Sequence, residues 1–194
     1  FFAQLTRTVL KVTGSGSHCL AGDGTVIEAA CSHYTLLREE AVVAKVAEAA
    51  SALEQDPENT QYQQQAALAE QVKETFDARK KARLNAGAKT ESLAVSPTEP
   101  EAMVQPQKRN RGKAASYRPS VLANEQRVIL AQDVDPSKET TVVPAMLEQS
   151  QGVTGEPAKE LLLDAGYHCD TVIEAALSRD ISLLCPEGKK LGKP

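Results

Sequence analysis

Two aspartates lie where an apolar run gives way to glycine: Asp23 in Gly22-Asp23-Gly24-Thr25, and Asp164 in Leu163-Asp164-Ala165-Gly166-Tyr167. Hydrolysis or transfer at a phosphodiester needs a nucleophilic oxygen near neutral pH and charge compensation on both the attacking and the leaving oxygen. A pair of divalent ions about 3.5–4 Å apart supplies both. Hard carboxylate oxygens suit Mg2+ or Mn2+, and a glycine beside the aspartate lets an ion and a phosphate approach the backbone. Taken singly, each segment reads more readily as an ordinary turn than as a site. The pair acquires chemistry only if the fold brings its members together.

The elements around them are legible from periodicity. Phe2, Leu5, Val9 and Val12 recur three or four apart and predict a helix over 1–12, stopped by Gly14-Ser15-Gly16-Ser17. His18 to Ala21 and Thr25 to Ala29 are short strand-like runs on either side of Gly22-Asp23-Gly24. Helical stripes follow over 36–54 and 60–84, separated by Asp56-Pro57-Glu58-Asn59. Their narrow, Ala-rich seam predicts an αα-hairpin that packs on itself or on a partner. Residues 85–113, with Pro97, Pro100 and Pro106, read as a linker ending in the basic cluster Lys108, Arg109, Arg111 and Lys113. Strands over 115–122 and 127–134 flank the polar turn 123–126. A helix over 140–149, a glycine-bearing loop over 151–157, a buried strand over 160–163, a helix capped by Asp170 through Ser178 and a strand over 181–185 complete the chain.

Strands alternating with helices after an antiparallel hairpin describe an α/β fold, a mixed sheet flanked by helices. The expected division is a split sheet domain, 1–30 and 114–194, interrupted by a helical hairpin over 31–84 and a linker over 85–113. Asp23 and Asp164 both fall at strand ends, where acidic side chains can converge.

Composition sets further bounds. With 22 Lys+Arg against 26 Asp+Glu, 41% hydrophobic residues and no tryptophan, the 194-residue chain is not a wholly basic nucleic-acid coat. It also lacks the aromatics of a base-stacking platform. Its apolar stretches fall short of the roughly 20 residues a membrane span needs, so the expected setting is cytoplasmic. Cys19, Cys31, Cys169 and Cys185 form no C-x-x-C pair and are expected to be reduced and buried. Tyr167 is expected to pack, with its hydroxyl wet, rather than to serve chemistry.

Several segments together resemble the DDE transposases of bacterial insertion sequences. The first acidic motif of one branch of that family is similar to Gly22-Asp23-Gly24-Thr25-Val26-Ile27-Glu28-Ala29-Ala30-Cys31-Ser32, behind a helix led by Phe1-Phe2. The second is similar to Leu161-Leu162-Leu163-Asp164-Ala165-Gly166-Tyr167. Val128-Ile129-Leu130 and Pro144-Ala145-Met146-Leu147-Glu148-Gln149 resemble the intervening hairpin and helix, and a charged helical insertion after the first motif is also typical. The resemblance implies an RNase H-like fold, Asp23 and Asp164 as catalytic metal ligands, and Mg2+ or Mn2+ as the cofactor. It further implies DNA, both transposon ends and target, as the partner of Lys108, Arg109, Arg111 and Lys113, and a homo-oligomeric parent protein. The third ligand, a glutamate on a later helix, is expected beyond Pro194, so the chain reads as truncated at both ends and inactive by itself. The alternative is a non-catalytic fragment that binds DNA or the full-length enzyme and regulates transposition. The chain departs from the family pattern at Tyr117-Arg118-Pro119-Ser120 and at Thr98-Glu99-Pro100. Pro119, having no N–H, is expected at a sheet edge or a bulge.

Overall fold

The computed structural model describes residues 1–107 and 112–188. Lys108, Arg109 and Arg111 of the basic cluster, like Lys189 and Lys190, lie outside the described residues. In chain order the elements are α1 (Phe2–Thr13), β1 (Cys19–Gly24), β2 (Ile27–Glu28), α2 (Glu39–Gln55), α3 (Thr60–Asn85) and β3 (Met103–Pro106). They continue with β4 (Lys113–Asn124), β5 (Ile129–Asp135), α4 (Val143–Thr154), β6 (Glu160–Leu162), α5 (Asp170–Leu177) and β7 (Ser182–Leu184). The protein is α/β, with a mixed sheet of seven strands and flanking helices. It divides into two compact units, Phe1–Val26 with Arg118–Pro194, and Ile27–Tyr117.

In the first unit the strands run in the order β5, β4, β1, β6, β7. The C-terminal half of β4 is antiparallel to both its neighbours, while β1, β6 and β7 are mutually parallel. Period-two alternation sends Leu20, Leu122, Leu161 and Leu163 to one face. There they meet Met146 and Leu147 of α4, Val172, Ala175 and Ala176 of α5, and Tyr167. Each fully buried large apolar side chain contributes about 1.5–3 kcal/mol, which makes this cluster the main stabiliser of the unit. β6 departs from the expected fully buried strand. Leu161 and Leu163 are buried but Leu162 is 38% exposed, because three consecutive leucines on a strand cannot all face one way.

Four further expectations are corrected. The helix expected to end at Gln149 runs as α4 to Thr154, stopped by Gly155 in the left-handed region (φ 86°). The extra turn is held from outside: Arg7 of α1 donates through Nη2 to Gly152 O at 2.7 Å and through Nε to Val153 O at 3.3 Å, satisfying carbonyls that a helix end leaves unpaired. Asp170 is the first residue of α5 rather than its cap, a position held by Cys169 in extended geometry. Turn residues shift as well: β4 continues to Asn124, whose Oδ1 accepts from Gln126 N and Val128 N and so closes the hairpin with its own side chain.

Pro119 sits in a strand with neighbours on both sides rather than at an edge. Its carbonyl accepts from Thr25 N at 3.0 Å. The N and C=O of one strand residue point the same way, so the missing donor faces the place where the β1 ladder has ended at Gly24↔Ser120. On the β5 side Pro119 faces Val134 without needing a donor.

The second unit has its own core. Asn59 caps α3 by accepting from Gln61 N and Tyr62 N, and α2 packs on α3 through Val42, Val72 and Phe76. Leu93 and Val95 join that cluster, and Leu37 and Val95 exchange backbone hydrogen bonds at 2.9 and 3.0 Å. Residues 85–113, read from sequence as a linker, thus supply core residues and the strand β3. β3 and β2 both pair with the N-terminal half of β4, over Ala29, Ala102 and Ala115. The signal was faint because the apolar residues are isolated among Ser, Thr and Pro. The hydroxyl of Tyr117 lies 2.9 Å from both Glu99 Oε2 and Glu101 Oε1, two acceptors around one proton. Burial together with these carboxylates pushes the phenol well above its usual range. Among the described residues no helix is long and apolar enough to cross a membrane.

Candidate functional site

β1 and β6 are parallel neighbours paired as Cys19↔Glu160, Leu20↔Leu161 and Ala21↔Leu162. Pairing with β7 continues past the end of β6, since Leu163 N donates to Leu184 O at 3.0 Å, and Asp164 keeps extended dihedrals (φ −77°, ψ 173°). The β1–β6 pairing ends at Ala21↔Leu162, and Asp23 and Asp164 each lie two residues beyond it on strands that are about 4.8 Å apart where paired. By alternation both belong to the face of Ala21 and Leu162, away from the core, and both are exposed.

Each carboxylate is fixed locally. Asp23 Oδ1 accepts from Gly24 N at 2.8 Å. Asp164 Oδ1 accepts from Gly166 N at 2.8 Å, initiating the 3-10 turn Ala165–Tyr167. The carbonyl of Asp164 also accepts from Cys185 Sγ at 3.0 Å. Burial, followed by the nearby Asp164 and Cys169, raises the Cys185 thiol pKa, so the sulfur stays protonated near neutral pH. All four cysteines are free and half-buried rather than fully buried.

Sequence reasoning missed the groups above the C-terminal end of β1. A Cβ on Gly24 would collide with Glu139 Oε2 and lie 2.9 Å from Tyr167 Oη and 3.1 Å from Ser120 Oγ, so a side chain here would displace the carboxylate of Glu139. Glu139 is held by Arg118 Nη1 at 3.3 Å, and its loop is anchored by Asp135. The Asp135 carboxylate accepts from Ser137 N, Ser137 Oγ, Lys138 N and Thr141 Oγ1 at 2.6–3.0 Å. Burial alone would raise the Asp135 carboxyl, but these hydrogen bonds outweigh it and lower it. The pattern Asp135-Pro136-Ser137 signals such a turn; no local signal marks Glu139.

Tyr167 packs in the core, 1% exposed, with its hydroxyl 3.4 Å from Ser120 Oγ. Burial raises its pKa. Ser120 opposes this, while the charges of Glu139, Asp23 and Asp164 add to it. The neutral phenol is therefore a fixed dipole among three carboxylates, not a base.

Among the described residues no cluster of three or more His, Cys, Asp or Glu is arranged to hold a metal ion. Asp23 and Asp164 are two carboxylates, fewer than such a cluster needs. Lys113 is the described member of the expected DNA-binding group. It is exposed at the start of β4 in the second unit, beside a small cleft lined also by Arg79 and Arg83. Arg79 donates to Glu101 O at 2.8 Å and Ala102 O at 3.2 Å, and burial lowers its pKa. Comparison with protein-family models and with curated proteins gives no match to this chain.

Proposed function

We propose that this chain carries part of the catalytic core of a DDE transposase, an RNase H-like sheet interrupted by an αα-hairpin. In this reading Asp23 and Asp164 hold Mg2+ or Mn2+ for DNA strand cleavage and transfer. What supports it is the parallel pairing of β1 with β6, which ends at Ala21↔Leu162 and leaves Asp23 and Asp164, from distant parts of the sequence, each two residues beyond it. The strand order β5, β4, β1, β6, β7 is compatible with an RNase H-like arrangement. A bound ion would activate water and compensate charge on the phosphodiester. The chain's own part is to bind the ion through Asp23 and Asp164 and to hold phosphates through Lys108, Arg109, Arg111 and Lys113. Two carboxylates do not by themselves enforce in-line geometry, so the chain alone binds without cutting.

The test is Mn2+ titration by electron paramagnetic resonance, alongside an end-labelled DNA nicking assay. Weak Mn2+ binding lost in both Asp23→Asn and Asp164→Asn, with no nicking, is expected. Mn2+ binding unchanged in both variants would overturn the reading. Metal-dependent nicking abolished by Asp164→Asn would instead show a complete site within the chain.

A further inference from the structure

The outward face of the five-stranded sheet carries an apolar row from edge to edge. Ile129 pairs with Ala123, Ala123 with Ala21, Ala21 with Leu162 and Leu162 with Leu184, so one residue from each strand falls in line. The three large members remain 42%, 38% and 55% exposed. The helices of this unit share the opposite face with Leu20, Leu122 and Leu161. An antiparallel sheet can leave one face to water when that face is polar, but parallel strands such as β1, β6 and β7 are normally covered on both sides. A continuous apolar row on the open side marks a contact surface.

Charge identifies the occupant. The outward positions bordering the row include Glu160 on one side and Asp23 and Asp164 on the other, all three carboxylates within one ladder step of Leu162 or Ala21. Among the described residues, no lysine or arginine occupies the register positions facing outward beside them. Without a bound cation, a nucleic acid or an anionic membrane is repelled by such a face. A second copy would set one row of carboxylates against another. The row crosses four strand spacings, about 19 Å, the length of about 13 helical residues. We propose that this face docks a cationic amphipathic helix of a partner protein, its apolar stripe on Leu162, Leu184 and Ile129 and its flanking lysines or arginines on Glu160, Asp23 and Asp164.

The inference goes beyond the metal reading and is tested apart from it, in EDTA. The probe is a fluorescein-labelled amphipathic peptide of leucine and lysine, about 14 residues long, titrated with the full chain by anisotropy. Saturable binding that weakens with salt is expected, as is no binding of the same peptide with glutamate in place of lysine. Leu162→Gln/Leu184→Gln should bind about tenfold more weakly. Leu177→Gln, on α5 and 71% exposed, should bind as the unaltered chain does. If circular dichroism shows the double variant misfolded, Leu184→Gln alone, on the edge strand, should weaken binding about threefold. Absence of saturable binding, salt-independent binding, or equal binding by the face variants overturns the proposal. So does a dimer in sedimentation that Leu184→Gln dissociates, since that assigns the face to a second copy.

Discussion

Gly22 is the inward-facing residue between Leu20 and Asp23's neighbour Gly24, and adding a single methyl there probes how tightly β1 is held against β6. A Cβ at Gly22 would collide with Leu163 Cδ2, lie 2.9 Å from Leu122 Cδ2 and lie 3.7 Å from Val121 O. Both leucine tips can rotate in principle. Leu122 is 0% and Leu163 6% exposed, however, so the space they would turn into is already filled. Overpacking of this kind costs about 1–3 kcal/mol, while removing glycine from the unfolded chain returns about 0.4–1 kcal/mol. Gly22→Ala should therefore destabilise the first unit by about 0.5–2 kcal/mol. With a urea slope of about 1–3 kcal/mol per molar, the midpoint falls by several tenths of a molar at unchanged slope. Leu163→Val removes the colliding carbon, so the double variant should recover about 1 kcal/mol relative to additivity. A Gly22→Ala protein as stable as the parent, or a cycle with no coupling, would refute the close-packing argument and with it the fixed placement of Asp23.

Other expectations rest on separate contacts. Replacing Ile27–Tyr117 by Asn-Gly should leave a first unit that unfolds cooperatively, because Thr25 N already donates to Pro119 O across the cut; a non-cooperative urea transition would count against it. Asp135→Ala should cost about 1–2 kcal/mol near neutral pH through loss of its turn hydrogen bonds. Because the folded carboxyl titrates below its unfolded value, that contribution exists above about pH 4 and fades as pH falls through the lower folded value, so denaturation midpoints of parent and variant should converge in acid. Tyr117 is shifted the other way: its phenol stays neutral in the fold after the unfolded chain has begun to ionise near pH 10. Its contribution is whole below pH 10 and lost above it, so Tyr117→Phe should flatten the alkaline fall in stability measured between pH 9 and 12.

Much of the first unit could be read without coordinates, since helices and strands there are bounded by glycines and polar turns and their periods differ. What could not be read is instructive residue by residue. Leu161-Leu162-Leu163 carries no alternation in residue type, so nothing local says that the middle leucine faces water. Pro119 looks like an edge marker until the point where β1 diverges is known. Leu93 and Val95 lack apolar neighbours, and only α2 and α3 turn them into a core. At the site, the two aspartates announce themselves through their glycines, and their alignment depends on which strands become neighbours. Glu139, Arg118 and Ser120 meet Gly24 from separate segments, with no spacing rule to join them.

The antiparallel pairing of Gly24 with Ser120, continued by Thr25 on Pro119, means that the chain leaves the first unit and rejoins it at two adjacent points of a single hairpin. To the sheet, the ninety-odd intervening residues count as a turn. An insert whose own ends are already together adds little closure entropy, and a length change anywhere inside it leaves the β1–β4 register untouched. That hairpin tip is a natural port for exchange. Helices of other lengths, a reporter domain or a bare two-residue turn spliced there should leave the order of the five strands unaltered.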